Sequence, residues 1–482
     1  MRHDADGVVL AELAGDYDSE VRRGAAANPR TPIECLMALA ADAEPNVRVK
    51  VAANEGATAD LLRVLAADPV EQVREHTAHN PAADAVTLMM LADDADEGVR
   101  RVVASREDAP EEALAQLASD PEEWIRGFVA LNPSVPASSV ASFIDDEDEE
   151  VARNAMRNPN MPIGVLVRMA SDENENTRWD VAGNESTPAD VLAQLAADGV
   201  AQIRAQVAAN PSCPQGLLAE LAQDAETDVR ARAAENPNLP AEALLACAND
   251  PQMDVRKSVA MNPSTPIGVL EALASDESAL VRGCIAASEE VSASVLETLA
   301  NDVRKAVRRQ VASNAAACAE TLGRLAGDAD EYVRTHVAEN EKTPADALGM
   351  LSGDEALHVR RAAAGNASAP AEALDALLAD SDAHIRRRVA TNPSTSPRGL
   401  VVLASDSDAQ VRRCALANPS FDRSDLLDAA VLLGSPASRQ EHEDADPSSA
   451  AAEIKQYFEL LKMGAITQQE FDAVKSRLLS NA

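Results

Sequence analysis

An Arg, most often preceded by Val, returns with a period of 26 residues along this chain, and no insertion breaks the register. Arg22, Arg48, Arg74, Arg100 and Arg126 begin the series, and Arg178 through Arg412 continue it, so that fifteen of sixteen phases carry Arg and one carries Ala152. Asp stands six residues before every phase, from Asp16 to Asp406. Asn stands six residues after it in fourteen, and Leu fourteen residues after it in fifteen, with Val140 the exception. A period this strict makes each unit a neighbour of the next and rules out a conventional folded core that mixes distant segments.

The unit Asp42 to Ala67 shows what each position can do. Val47, Val51 and Ala52 fall on one stripe of a short helix, and Leu62, Leu65 and Ala66 on one stripe of a second. Asn, usually followed by Pro as in Asn28-Pro29 and Asn210-Pro211, marks the turn. Asn tolerates a left-handed helix end, whereas the following Pro pulls it toward extended backbone. Thr31-Pro32 with Glu34 has the form of a capping box with Pro at the first helical position, and Thr187-Pro188 and Thr343-Pro344 repeat the cap and Pro. Helices of roughly ten residues are marginal alone in water, so each must bury its stripe on the next unit. The half unit Leu10, Leu13 and Ala14 fits the same register as an N-terminal cap.

Composition agrees with closely packed short helices: hydrophobic residues make up 46% and aromatics only 2%. The formal charge of −37 disfavours general binding to nucleic acid or anionic membranes. Met1 to Asp16 contains no apolar run of signal-peptide length, and a cytoplasmic, bacterial-type protein is expected. Cys35, Cys213, Cys247, Cys284, Cys318 and Cys414 are far apart and are expected as small buried residues, not a disulfide or metal framework.

The pattern D-x-x-x-x-V-R-x-x-V-A-x-N-P-x-x-P-x-x-x-L-x-x-L-A, over about residues 3–430, resembles the leucine-rich repeat variant family. That resemblance implies an all-α, right-handed solenoid of about sixteen 26-residue repeats, each an α-helix paired with a second α- or 3₁₀-helix, in the style of HEAT and armadillo arrays. A repeat array of this kind is itself expected to serve as a binding scaffold. Some relatives hold an iron–sulfur cluster in a cysteine-rich module, but the cysteines for it are missing here and no cofactor is expected.

Positions shared by all units are expected to serve stacking, as a ladder exemplified by Asp42, Arg48 and Asn54, Asp198, Arg204 and Asn210, and Asp354, Arg360 and Asn366. Recognition should then use positions that vary. The sixth unit is irregular, with the acidic run Asp145 to Glu150 before Val151-Ala152 and Val140, Phe143 and Ile144 upstream. That run lacks the glycine-punctuated spacing of a calcium loop and suggests a solvated or partner-facing loop, or a bend. Residues 1–300 carry 22 basic and 53 acidic residues, whereas 301–420 carry 15 and 16. The second segment offers Arg308, Arg309, Arg361, Arg387, Arg388 and Arg413 as candidates for an acidic or phosphorylated partner. No phosphate-binding loop, nucleophile elbow or zinc-protease motif occurs, and no enzymatic activity is expected.

The period stops near Leu433, and residues 433–450 have the composition of a flexible linker. In 451–482, Ile454, Phe458 and Leu461 form one stripe, and Phe471, Val474, Leu478 and Leu479 a second, opened by the capping box Thr467 to Glu470. Gly464, Ile466, Thr467, Glu470, Phe471, Lys475, Leu478 and Leu479 resemble the SHOCT (short C-terminal) domain. That resemblance implies association or docking through Phe458, Leu461, Ile466, Phe471 and Leu478. The sequence therefore leads to a non-enzymatic scaffold for a protein or peptide spanning 1–432, with a self-associating or docking hairpin. Binding of nucleic acid or a phosphorylated partner by 301–420 is the alternative.

Overall fold

A computed structural model describes residues 7–421, together with Asp472 and Lys475. The linker 433–450 and the hairpin residues Phe458, Leu461, Ile466, Phe471 and Leu478 lie outside the described residues. Among the described residues the chain forms 32 α-helices and no strand, an all-α solenoid of tandem two-helix repeats. The chain divides into two compact units at Ser264/Thr265.

In the first unit the repeat is well represented by Ala201–Ala209 followed by Gln215–Leu221. The first helix buries Ile203, Val207 and Ala208, and the second buries Leu218 and Leu221. Each such Val or Leu contributes about 1.5–3 kcal/mol on leaving water. Ala201–Ala209 packs on the next first helix, Thr227–Glu235, and the small Ala208 lets the two approach. The second unit repeats the scheme: Leu374, Leu377, Ile385, Val389, Leu400 and Leu403 share one apolar core, with Phe421 packed against it.

Of the two alternatives for the second helix the α form holds: both helices of the repeat are α-helical, and the 3₁₀ segment found among the described residues is Phe143–Asp145. There Phe143 and Ile144 stand where most second helices close on Leu-Ala, and the last turn tightens. Two expectations are corrected. Thr31 does not cap the second helix. Its hydroxyl donates back to the Ala25 carbonyl at 2.6 Å, and Thr187 and Thr343 likewise turn back to Val181 and Val337. Pro32 is itself the capping residue, extended at φ −55° and ψ 143°, with its carbonyl accepting from Leu36 N at 3.1 Å. The second correction is to the cysteines: only Cys213 and Cys247 are buried, and burial pushes both thiols up to about 11; the other four cysteines are half-buried.

The Asn turn takes the extended alternative: Asn80 closes its helix at φ −68° and ψ 126°. No helix among the described residues is long and apolar enough to cross a membrane.

Candidate interaction groove

Three polar columns lock each unit internally. Arg48 donates through Nε and Nη2 to Asp68 of the next repeat at 2.6 and 2.9 Å, and through Nη1 to the Asp42 carbonyl of its own at 2.8 Å. The carboxylate of Asp68 also accepts the Val70 N–H at 2.9 Å, which fixes the entry to the following helix. The same fork recurs in the first unit at Arg204–Asp224 and in the second at Arg360–Asp380. It is a charge-assisted, bidentate bond with a set orientation. The Arg22 hydrogen bond holds the Asp42 carboxyl below its ordinary range, and Arg204 does the same for Asp224.

Asn54 bridges backward, with Nδ2 donating to the Ala26 and Asn28 carbonyls at 2.7 and 2.9 Å while Oδ1 accepts from Gly56 N. Asn210 makes the same contacts in the first unit, and Asn366 in the second. Where the column carries Arg106, its guanidinium takes the place of the amide, reaching the Ala78 and Asn80 carbonyls at 2.6 and 2.9 Å.

Side chains at varying positions of the first helices are among the groups that face outward. In the first unit they open a groove of about 600 Å³ between Glu149–Arg157, Glu175–Gly183 and Ala201–Ala209. Arg153 and Arg157 lie four residues apart on one helix and turn toward Asp180 on the next. Arg157 Nε donates to Asp180 Oδ1 at 3.0 Å, and its guanidinium lies 5.6 Å from the Trp179 ring centroid, a cation–π distance. Asp180 is only 4% exposed; burial pushes its carboxyl above the usual range, against the pull of Arg157 and Arg153. An indole, two arginines and a buried carboxylate on an open groove can hold a side chain of mixed polar and aromatic character.

A second cavity, about 340 Å³, adjoins the first through Arg153, Asn176 and Asp180 and reaches Ala152, Asp146 and Asp172. The acidic run beside it is partly structural. Asp146 receives the Arg126 fork, and Asp148 caps Glu149–Arg157 by accepting from Glu150 and Val151 N–H groups.

The arginine candidates of the second unit separate into two groups. Arg308 is a ladder member, bound to Asp328 and to the Asp302 carbonyl. Arg309 pairs with Asp330 at 2.8 and 3.0 Å and lies 4.6 Å from the Tyr332 centroid, and Tyr332 stacks on His358 at 5.2 Å. Arg361, Arg387, Arg388 and Arg413 are exposed, with Arg387 touching His384. The groove at Trp179 was not among the sequence candidates. Its signal was there: one of two tryptophans in the chain, followed by an Asp that lies outside the ladder columns.

Comparison with known proteins agrees with the repeat architecture. A family model described as leucine rich repeat variant matches residues 20–44, 97–122 and 227–252, and one described as leucine rich repeat variant domain matches 176–233. A solved leucine-rich repeat variant with a repetitive structural motif is 24% identical, covering 51% of this chain and 87% of its own, at a TM-score of 0.30. A crystal structure of importin beta is 13% identical, covering 98% of this chain and 66% of its own, at a TM-score of 0.27. No curated protein matches the chain. Residues 20–44, 97–122 and 176–252 thus match leucine rich repeat variant models, within an all-helical tandem-repeat solenoid.

Proposed function

We propose that the chain is a non-enzymatic scaffold that binds a protein partner through the variable face of its first helices. The observation that carries this reading is the division of labour among polar groups. Asp, Arg and Asn columns satisfy one another between repeats, whereas Trp179, Arg153 and Arg157 face a groove of about 600 Å³. Residues 451–482 supply self-association or docking in this reading, tethered by 433–450.

A second reading, an acidic or phosphorylated partner or nucleic acid on residues 301–420, is favoured by the exposure of Arg361, Arg388 and Arg413, none of which has an acidic partner among the described residues. One experiment separates the two. Full-length chain is used to purify its partner from the native cell, alongside Trp179→Ala and Arg361→Glu variants. Loss of one protein with Trp179→Ala alone supports the groove. Loss with Arg361→Glu alone supports the second reading, and identical recovery by all three chains removes both.

A further inference from the structure

The ladder lacks one guanidinium, and the fold keeps the place for it. On one side of the gap Arg126 reaches the Asp146 carboxylate and the Asp120 carbonyl; on the other Arg178 reaches the Asp198 carboxylate and the Asp172 carbonyl. By the same offsets, a side chain at position 152 would reach the Asp172 carboxylate and the Asp146 carbonyl. Ala152 cannot. The Asp172 carboxylate accepts the Asn174 N–H at 2.8 Å and has no cationic partner among the described residues. Arg153 does not fill the gap, because its Nη1 goes to Glu150 at 2.8 Å and its Nε lies 3.8 Å from Asp180.

At this point the chain holds a cavity of about 340 Å³ lined by Ala152, Asp146 and Asp172, with Ile144, Met156 and Met169 among its apolar groups. We propose that this socket receives the guanidinium of an arginine side chain from a partner polypeptide, which completes the ladder from outside. The inference rests on the scaffold reading above and names what the scaffold grips. The neighbouring repeats show the bound form of the same arrangement: a carboxylate accepting the fork and a carbonyl accepting the remaining nitrogen. The two methionines offer the aliphatic stem a polarizable, adaptable surface. Asp145 and Glu149 also line the cavity, and its carboxylates outnumber the one cationic group in the lining, Arg153, so a cation is favoured over an anion. The planar fork of arginine fits such acceptors, whereas the point charge of lysine does not. Among the described residues no group of three His, Cys, Asp or Glu side chains has the geometry to hold a metal ion.

The test is calorimetric titration of the full-length chain with N-acetyl-arginine amide, N-acetyl-lysine amide and the neutral N-acetyl-citrulline amide. The arginine derivative is expected to bind roughly tenfold more tightly than the lysine derivative, the worth of one added charge-assisted hydrogen bond, and the citrulline derivative not at all. Asp172→Asn should weaken arginine binding about as much, since it removes the charge but keeps an acceptor for Asn174. Ala152→Arg supplies the guanidinium in cis and should abolish binding. Equal affinity for lysine and arginine, or undiminished binding in either variant, overturns the proposal; if Ala152→Arg does not fold, Asp172→Asn decides. A cellular partner lost with Trp179→Ala but kept with Asp172→Asn overturns the socket and leaves the scaffold reading standing.

Discussion

At the scale of single residues, a ladder aspartate set between two ladder arginines works at three points at once. Asp224 accepts the Arg204 fork on its carboxylate, caps the Glu226 N–H at 2.8 Å, and offers its carbonyl to Arg230 at 2.8 Å. Arg204→Ala removes the fork and leaves a half-buried carboxylate, at an expected cost of about 1–2 kcal/mol after allowance for solvent. Urea unfolding of variant and wild type measures it; an unchanged midpoint would show the rung to be idle. Arg204 holds Asp224 below its ordinary 3.8 in the folded state, so the stabilisation is complete above that value and disappears as pH falls through the lower folded value. The variant should therefore lose less stability on acidification than the wild type. Repetition made the Asp, Arg and Asn columns legible in the sequence. Their pairing was not legible, because a period fixes recurrence and not distance: Arg48 forks onto Asp68 of the next repeat and meets only the backbone of Asp42 in its own.

At the scale of helices, spacing gave the apolar stripes, and Val207, Ala208, Leu218 and Leu221 are buried where the stripes put them. Capping was the weaker inference. A Thr before Pro fits a cap by chemistry, yet Thr187 bonds to the Val181 carbonyl at 2.6 Å and ties the two helices of one repeat together. Residue type shows that a hydroxyl can bond nearby backbone, but not which end of the turn it chooses. The alanine column carries its own prediction. Ala208 is fully buried, so Ala208→Leu must push adjacent first helices apart, costing about 1–3 kcal/mol. A thermal midpoint that does not fall would mean that the layers have slack to absorb the added volume.

At the scale of the whole chain, the period announced the fold and masked the site. Trp179 and Asp180 occupy columns that vary freely, so their significance shows only when the neighbouring Arg153 and Arg157 are placed beside them. Stability in a repeat array is a sum of local units and their interfaces, and the Ala152 interface lacks its Arg–Asp fork. Amide hydrogens of Glu149–Arg157 should therefore exchange faster than those of Ala201–Ala209, as followed by hydrogen-exchange mass spectrometry; equal protection would count the missing fork as unimportant. The ladder bonds also bear on how the chain comes to be folded. The Arg204 fork spans 20 residues, and the Asn210 bridge reaches back 28. Such short reach favours fast formation, and domains of growing chains fold from the N-terminal side first. Each layer can thus be sealed soon after the following one leaves the ribosome, and synthesis itself sets the order of assembly.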